Sequence, residues 1–298
     1  MLDIRKINRI VLEWYAINAR ELPWRSRPYL GDAYAVLVSE IMLQQTQVNR
    51  AIPKFLEFMM QFPSIHALAS ASPGDVINLW SGMGFNNRAV RLHRLARIVV
   101  ADYAGVIPRE IETLLTLPGV GRYTAAAVAC FAYEEQVPVF DTNIYRVLSR
   151  LVHGIDAPSR AEIEPLGTQF LPDKSASLWN QALMDIGATL CTALSPRCMR
   201  CPLHENCTAA PFLQGGGDPA IAKSSVPNAP RQAKFAGSTR YYRGRIVETL
   251  RQAPSEGLAY MNIDILFKHA LGTDLELIID GLVRDGLVVR ASGMLHLP

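Results

Sequence analysis

Four of the five cysteines in this 298-residue chain fall within residues 191–207, spaced Cys191-x6-Cys198-x2-Cys201-x5-Cys207, with Pro196 and Pro202 inside the run. The prolines keep the segment from continuing as a helix, so it must fold as a loop that brings its thiols back on themselves. A secreted disulfide framework spreads its cysteines along the chain, and this bunching is instead that of a metal ligand set. Zinc is the first candidate from the count alone. Four-cysteine zinc sites, however, usually come as two close pairs, and this run holds a single C-x2-C. The fifth cysteine, Cys130, sits inside AAAVACFAY and reads as a small buried hydrophobe.

Ahead of the cysteine loop, apolar residues recur three and four apart through most of residues 3–190, with few alternating runs, so this part reads as nearly all helix. The length suits about two domains. A hydrophobic fraction of 49% is ample for a buried core, and the net charge of +3 permits nucleic-acid binding only through a local basic surface. The N-terminus lacks the apolar core of a signal peptide, and no stretch reaches membrane-spanning length. These features predict a cytoplasmic protein without a membrane partner.

The stretch from Leu117 to Asn143 carries a second constraint. Pro118-Gly119-Val120-Gly121 is a tight turn between two helical patterns. Without side chains at Gly119 and Gly121, its amides and the start of the next helix near Arg122 form an anion site suited to a phosphate; an ordinary helix-helix turn has the same residues. Further on, Asp141 precedes TNIYRVLSRLV, where helix amides favour an ionised carboxylate, so an N-cap anion is expected there.

Three other segments offer chemistry. In AYAVLVSEIMLQQTQV, apolar almost all round, Glu40 shares a face with Val36, Leu37, Leu43 and Gln44, and burial there would raise its pKa toward the range of a general acid. The loop ARELPWRSRPYLGDAYA sets Arg20 and Arg25 about Trp24, a combination that fits base stacking and fits a packed aromatic between solvated charges equally well. GMGFNNRAVRLHRLARIVV places Arg88, Arg91, Arg94 and Arg97 three apart, either a solvated helix face or a phosphate track.

Hairpin, helix and Asp at this spacing resemble the helix-hairpin-helix DNA glycosylases. SEIMLQQTQV is very similar to the SEVMLQQTQV run of the adenine DNA glycosylases, the MutY family within the endonuclease III superfamily, and the cysteine spacing matches that superfamily's [4Fe-4S] signature at Cys191, Cys198, Cys201 and Cys207. The resemblance implies that Glu40 protonates the base, Asp141 faces the sugar with Asn143 supporting it, and Gln45 wedges into the duplex beside Gln44. It implies that Arg20, Trp24, Arg25 and Asp185 surround the flipped adenine. DNA contacts then fall on Leu117, Gly119, Val120 and Gly121 of the hairpin and on Asn86 and Arg88. Relatives that also cut the strand carry a lysine after the hairpin's G-x-G-R; here Tyr123 stands there, which implies a monofunctional enzyme. One departure is Phe85-Asn86, where the adenine family usually has two aromatics and the thymine-excising mismatch glycosylases do not.

Past Cys207, FLQGGGDPAIAKSSVPNAPRQAKFAGS has the Gly, Pro, Ala and Ser content of a linker, and three short helical patterns with a terminal hairpin around Ala291-Ser292-Gly293 follow. The expected architecture is mainly α: a two-lobed helix-hairpin-helix glycosylase domain over residues 1–210 with its cluster loop, a linker over 211–236, and a winged-helix-like module over 237–298. A Nudix-like domain, common at the end of adenine glycosylases, is not found in the sequence. The expected activity is hydrolysis of adenine from mispairs with 8-oxoguanine or G in double-stranded DNA, by a monomer. A T/G or U/G mismatch glycosylase and a non-catalytic iron-sulfur DNA-binding regulator are the rival readings; Gln44, Gln45 and the Arg20–Arg25 loop favour adenine, and Glu40 with Asp141 argue against the regulator.

Overall fold

The computed structural model describes residues 2–156, 158–214, 234–254, 256–267 and 275–298. It is mainly helical, as the apolar spacing predicts, and divides into two compact units. One comprises the described residues of Met1–Val36, Arg109–Ile111 and Gly121–Ala229; the other comprises those of Leu37–Pro108, Glu112–Val120 and Pro230–Pro298.

In the first unit, α1 (Ile4–Asn18), α8 (Arg122–Tyr133), α9 (Thr142–Val152), α10 (Arg160–Phe170) and α11 (Ala176–Thr189) enclose a core of Ile7, Val11, Cys130, Ile144, Leu148, Trp179 and Ile186, to which Leu203 of the cysteine loop is added. Local chemistry sets the starts of these helices. The Asp3 and Asp141 carboxylates accept from helix amides at Lys6 and Ile144, and Ser159 with Glu162 forms a capping box. Close approach of α9 and α11 depends on Gly187, where a Cβ would lie 2.5 Å from that of Asn143. Cys130 is fully buried, as expected.

The second unit contains α3 (Val48–Gln61), α4 (Ile65–Ser70), α5 (Pro73–Leu79), α6 (Asn87–Asp102) and all but the first residue of α7 (Ile111–Leu114), with Phe55, Phe58, Trp80, Leu92 and Leu95 among its buried residues. Helix α2 (Ala33–Leu43) runs from the first unit into this one. The hairpin between α7 and α8 is a turn in which Val120 N donates to Leu117 O at 3.2 Å and Gly119 takes φ +86°, a conformation that a side chain would strain.

After the short α12 (Ala210–Leu213), most of the linker expected at 211–236 lies outside the described residues. The C-terminal module then runs α13 (Thr239–Arg251), β1 (Leu258–Ala259), α14 (Tyr260–Phe267), α15 (Leu275–Arg284), β2 (Val289–Ala291) and β3 (Met294–His296). Its antiparallel sheet has the order β1-β3-β2. Helices and hairpin match the sequence reading, except that residues 268–271 of the second helical pattern lie outside the described residues; β1, only two residues long, leaves no readable alternation. This module shares one core with Ile77 of α5 and Val90 of α6.

Candidate active site

Asp141 is the N-cap of α9. Its Oδ1 accepts from the Ile144 amide at 2.7 Å and its Oδ2 from the Asn143 side chain at 2.6 Å. Asn143 Oδ1 in turn accepts from Arg146 Nη2 at 2.7 Å, and Arg146, itself buried, donates to the carbonyls of Gly187 at 2.7 Å and Cys191 at 2.6 Å. A continuous set of hydrogen bonds therefore runs from the Asp141 carboxylate to the first residue of the cysteine loop. The cap expected from sequence is present, but its electrostatic consequence is reversed. Burial raises the Asp141 pKa and outweighs the lowering effect of the Ile144 and Asn143 hydrogen bonds and of Arg146. Tyr123, on the first turn of α8, packs half-buried against the core of this unit.

Arg20, Arg25 and Asp185 form a second group in the same unit. The Asp185 carboxylate is fully buried; it accepts from Arg20 Nε at 2.6 Å, from the Arg20 amide at 2.9 Å and from Arg25 Nη1 at 2.9 and 3.0 Å. Truncating Asp185 would strand two guanidinium groups. Trp24, in the 3-10 turn Pro23–Arg25, is buried beside them in sequence, and the two arginines of the loop are ion-paired with Asp185 rather than solvated.

In the second unit Glu40 lies on α2 at 5% exposure, the buried acid expected from the apolar surroundings of its helix. Gln45 follows in a left-handed turn with φ +56° and is exposed, while Gln44 is half-buried. Arg88 differs from the sequence reading. Instead of lying on an outward stripe available to DNA, it is 6% exposed and its guanidinium points inward. Nη1 donates to the carbonyls of Ile41, Met42 and Gln44, and Nη2 to Thr46 Oγ1 and the carbonyls of Met83 and Gly84, all at 2.7–3.1 Å. These include carbonyls at the end of α2 that the helix cannot satisfy itself, and a cation there complements the helix dipole. Desolvation brings the Arg88 pKa down to about 10. Arg91, Arg94 and Arg97 keep the exposed face. In the hairpin Leu117 and Val120 are buried, so their side chains do not present a surface; the space a Cβ would take at Gly121 is open, with no atom beyond its chain neighbours within 4 Å.

Cys191, Cys198, Cys201 and Cys207 line one recess together with Arg150 and His204. Arg150, fully buried on α9, holds the loop by donating to Thr192 O at 2.7 Å and Ala193 O at 3.0 Å. Among the described residues no group of three or more His, Cys, Asp or Glu side chains is gathered tightly enough to hold a single ion. Four cysteine thiols lining one recess are a donor set that fits a [4Fe-4S] cluster.

Sequence reasoning missed Arg146 and Arg150. Their signal was an arginine pair four apart, on the helix that Asp141 opens, inside an otherwise apolar pattern.

A family model described as HhH-GPD superfamily base excision DNA repair protein matches residues 38–172. The chain is 41% identical over 285 residues to an adenine DNA glycosylase of Mycolicibacterium smegmatis, covering 95% of this chain and 92% of that one. It is 41% identical over 293 residues to an adenine DNA glycosylase of Mycobacterium tuberculosis, covering 97% and 92%. Among solved structures, a thermostable thymine-DNA glycosylase superposes with a TM-score of 0.64 at 27% identity, covering 70% of this chain and 96% of that one.

Proposed function

Because this chain belongs to the adenine DNA glycosylases of the HhH-GPD superfamily, we propose that it removes adenine mispaired with 8-oxoguanine or G from double-stranded DNA, by hydrolysis of the N-glycosidic bond. The observation that carries this reading is the 41% identity over almost the whole chain to adenine-specific relatives, against 27% to the thymine-specific neighbour. Adenine is thus favoured over thymine despite Phe85-Asn86, and retention of both acids makes the chain an enzyme rather than a regulator.

The chemistry follows from two carboxyl groups in different settings. Glu40 gives its proton to the base, which turns a poor leaving group into a neutral one; Asp141, ionised, stabilises the positive sugar left behind until water adds. Asn143 orients the Asp141 carboxylate, and the raised pKa of that carboxyl is the cost of keeping an anion in the dry surroundings where its field is strongest. Arg20, Trp24, Arg25 and Asp185 form the wall that receives the flipped base. Gln45 enters the gap the base leaves, with Gln44 and Asn86 at its margins, and the amides of Gly119 and Gly121 bind the DNA backbone. Tyr123 cannot form an imine, so the product is an intact abasic strand.

Cys191, Cys198, Cys201 and Cys207 would hold a [4Fe-4S] cluster, which would cross-link the loop that Arg150 fastens to α9. Residues 1–210 act as the glycosylase domain, 211–236 as linker and 237–298 as the winged-helix-like domain. No helix among the described residues is long and apolar enough to cross a membrane; the enzyme acts as a monomer in the cytoplasm, at the nucleoid. The test is incubation of purified protein with duplexes carrying A or T opposite G or 8-oxoguanine, followed by alkali. Breaks at A opposite either guanine are expected, and breaks only at T would overturn the reading.

A further inference from the structure

The turn at residues 83–86 is held from two sides. From within the unit, Arg88 donates to the carbonyls of Met83 and Gly84 at 3.0 and 3.1 Å. From the C-terminal module comes Arg251, the last residue of α13. Its Nη2 donates to Ile77 O at 2.8 Å and to Asn86 Oδ1 at 3.0 Å, and its Nη1 is fixed by Glu248 at 2.8 Å. With its side chain 8% exposed, the arginine is largely shielded from water. Asn86 is the N-cap of α6, where an asparagine oxygen ordinarily accepts from the first amides of its own helix. No such cap forms, and the oxygen is turned to Arg251 instead.

Between these anchors stands Phe85, 42% exposed and at φ +45°. A bulky residue in the left-handed region persists only where its surroundings over-determine it. An exposed aromatic held on a fixed turn is the kind of group that enters between base steps when a duplex is kinked and a nucleotide extruded. The module itself is poorly suited to reading DNA. Glu276 and Asp285 at the two ends of α15 are paired with Arg290 and Arg243, and Asp280 offsets Arg284, so the helix that a winged helix lays in a groove carries no excess positive charge. Its apolar face is already committed to Ile77 and Val90.

We propose that the C-terminal module braces the lesion-reading turn, with Arg251 acting through Asn86 and the Ile77 carbonyl as a positioning residue that holds Phe85 for base extrusion. This rests on the adenine glycosylase reading above. The test uses the full chain carrying Arg251→Ala, Asn86→Ala or both, a duplex with A opposite 8-oxoguanine, and a second duplex with fluorescent 2-aminopurine replacing that adenine. Each single variant is expected to slow single-turnover excision, and the rise of fluorescence on unstacking, by about tenfold, and Arg251→Ala, which touches no DNA, is expected to change DNA affinity by less than about twofold. The double variant is expected to be no slower than the slower single, because both remove one interaction. Amide exchange across residues 83–88 should quicken in all three.

Single variants that excise and unstack at the unsubstituted rate, or a double variant whose loss is the product of the two single losses, would overturn the brace. If Arg251→Ala fails to fold, Asn86→Ala, outside the core, carries the same prediction. Should the unsubstituted protein release no adenine, the glycosylase reading fails, and amide exchange at residues 83–88 decides the brace by itself.

Discussion

The side chain of Asn143 donates to Asp141 Oδ2 at 2.6 Å while its own oxygen accepts from Arg146, so the carboxylate that opens α9 is aimed by a residue on the first turn of the same helix. This bond favours the ionised form, against burial, which favours the neutral one. Asn143→Ala should therefore raise the Asp141 pKa further. Because the reaction needs the anion, the acid limb of the single-turnover pH-rate profile should move to higher pH, with a loss of roughly tenfold at neutral pH. An unmoved acid limb would separate Asn143 from the titration of Asp141.

Glu40→Gln and Asp141→Asn should each slow excision by about a thousandfold or more while DNA binding stays near normal, since proton donation and cation stabilisation are transition-state work. The two should differ in stability. A carboxyl with a raised folded pKa binds its proton more readily folded than unfolded, so stability falls as pH rises from the unfolded value through the folded one and stays low above it. An amide at 141 escapes that loss and can still cap the helix. Asp141→Asn is expected to melt a few degrees above the unsubstituted protein at neutral pH; a lower melting temperature would refute the burial argument.

Aerobically purified protein should be yellow-brown and carry about four irons and four sulfides per chain. Cys198→Ser should lose the colour and unsettle the loop. Iron analysis with a melting curve is sufficient, and stoichiometric zinc in colourless, active protein would refute the cluster.

Gly187→Ala places a methyl group 2.5 Å from the Asn143 Cβ and 3.0 Å from its Cα, neither of which can swing aside. Helices α9 and α11 must separate, at about 1–3 kcal/mol in denaturant unfolding. Because Asn143 is the residue displaced, excision should fall as well. Normal stability and activity together would mean that the two helices tolerate separation.

Tyr123 stands where a lyase would need an amine. The abasic product should stay unbroken until heated with alkali, and borohydride should trap no covalent complex. Efficient nicking with trapping would mean that another lysine serves as nucleophile.

Features written in neighbouring residues were legible without the fold. Apolar spacing set out the helices, Pro118-Gly119 the hairpin, Asp141 the cap of α9, and the cysteine run the loop that gathers four thiols, because each depends on backbone preferences or spacings within a few turns of chain. Glu40 belongs with these: a helix apolar almost all round has to bury its one acid. What only the tertiary structure decided was the surroundings of charged groups. Arg88 repeats in register with Arg91, Arg94 and Arg97, yet it alone turns inward, because unsatisfied carbonyls of α2 and the turn at 83–84 meet it there. Asp141 is a proper cap whose pKa moves the other way, and Asp185 finds Arg20 and Arg25 across 160 or more residues, as Arg251 finds Asn86 across 165. A periodic pattern reports which way a side chain leaves its own helix; burial, and the partners that offset it, depend on segments whose distance along the chain bears no relation to that period.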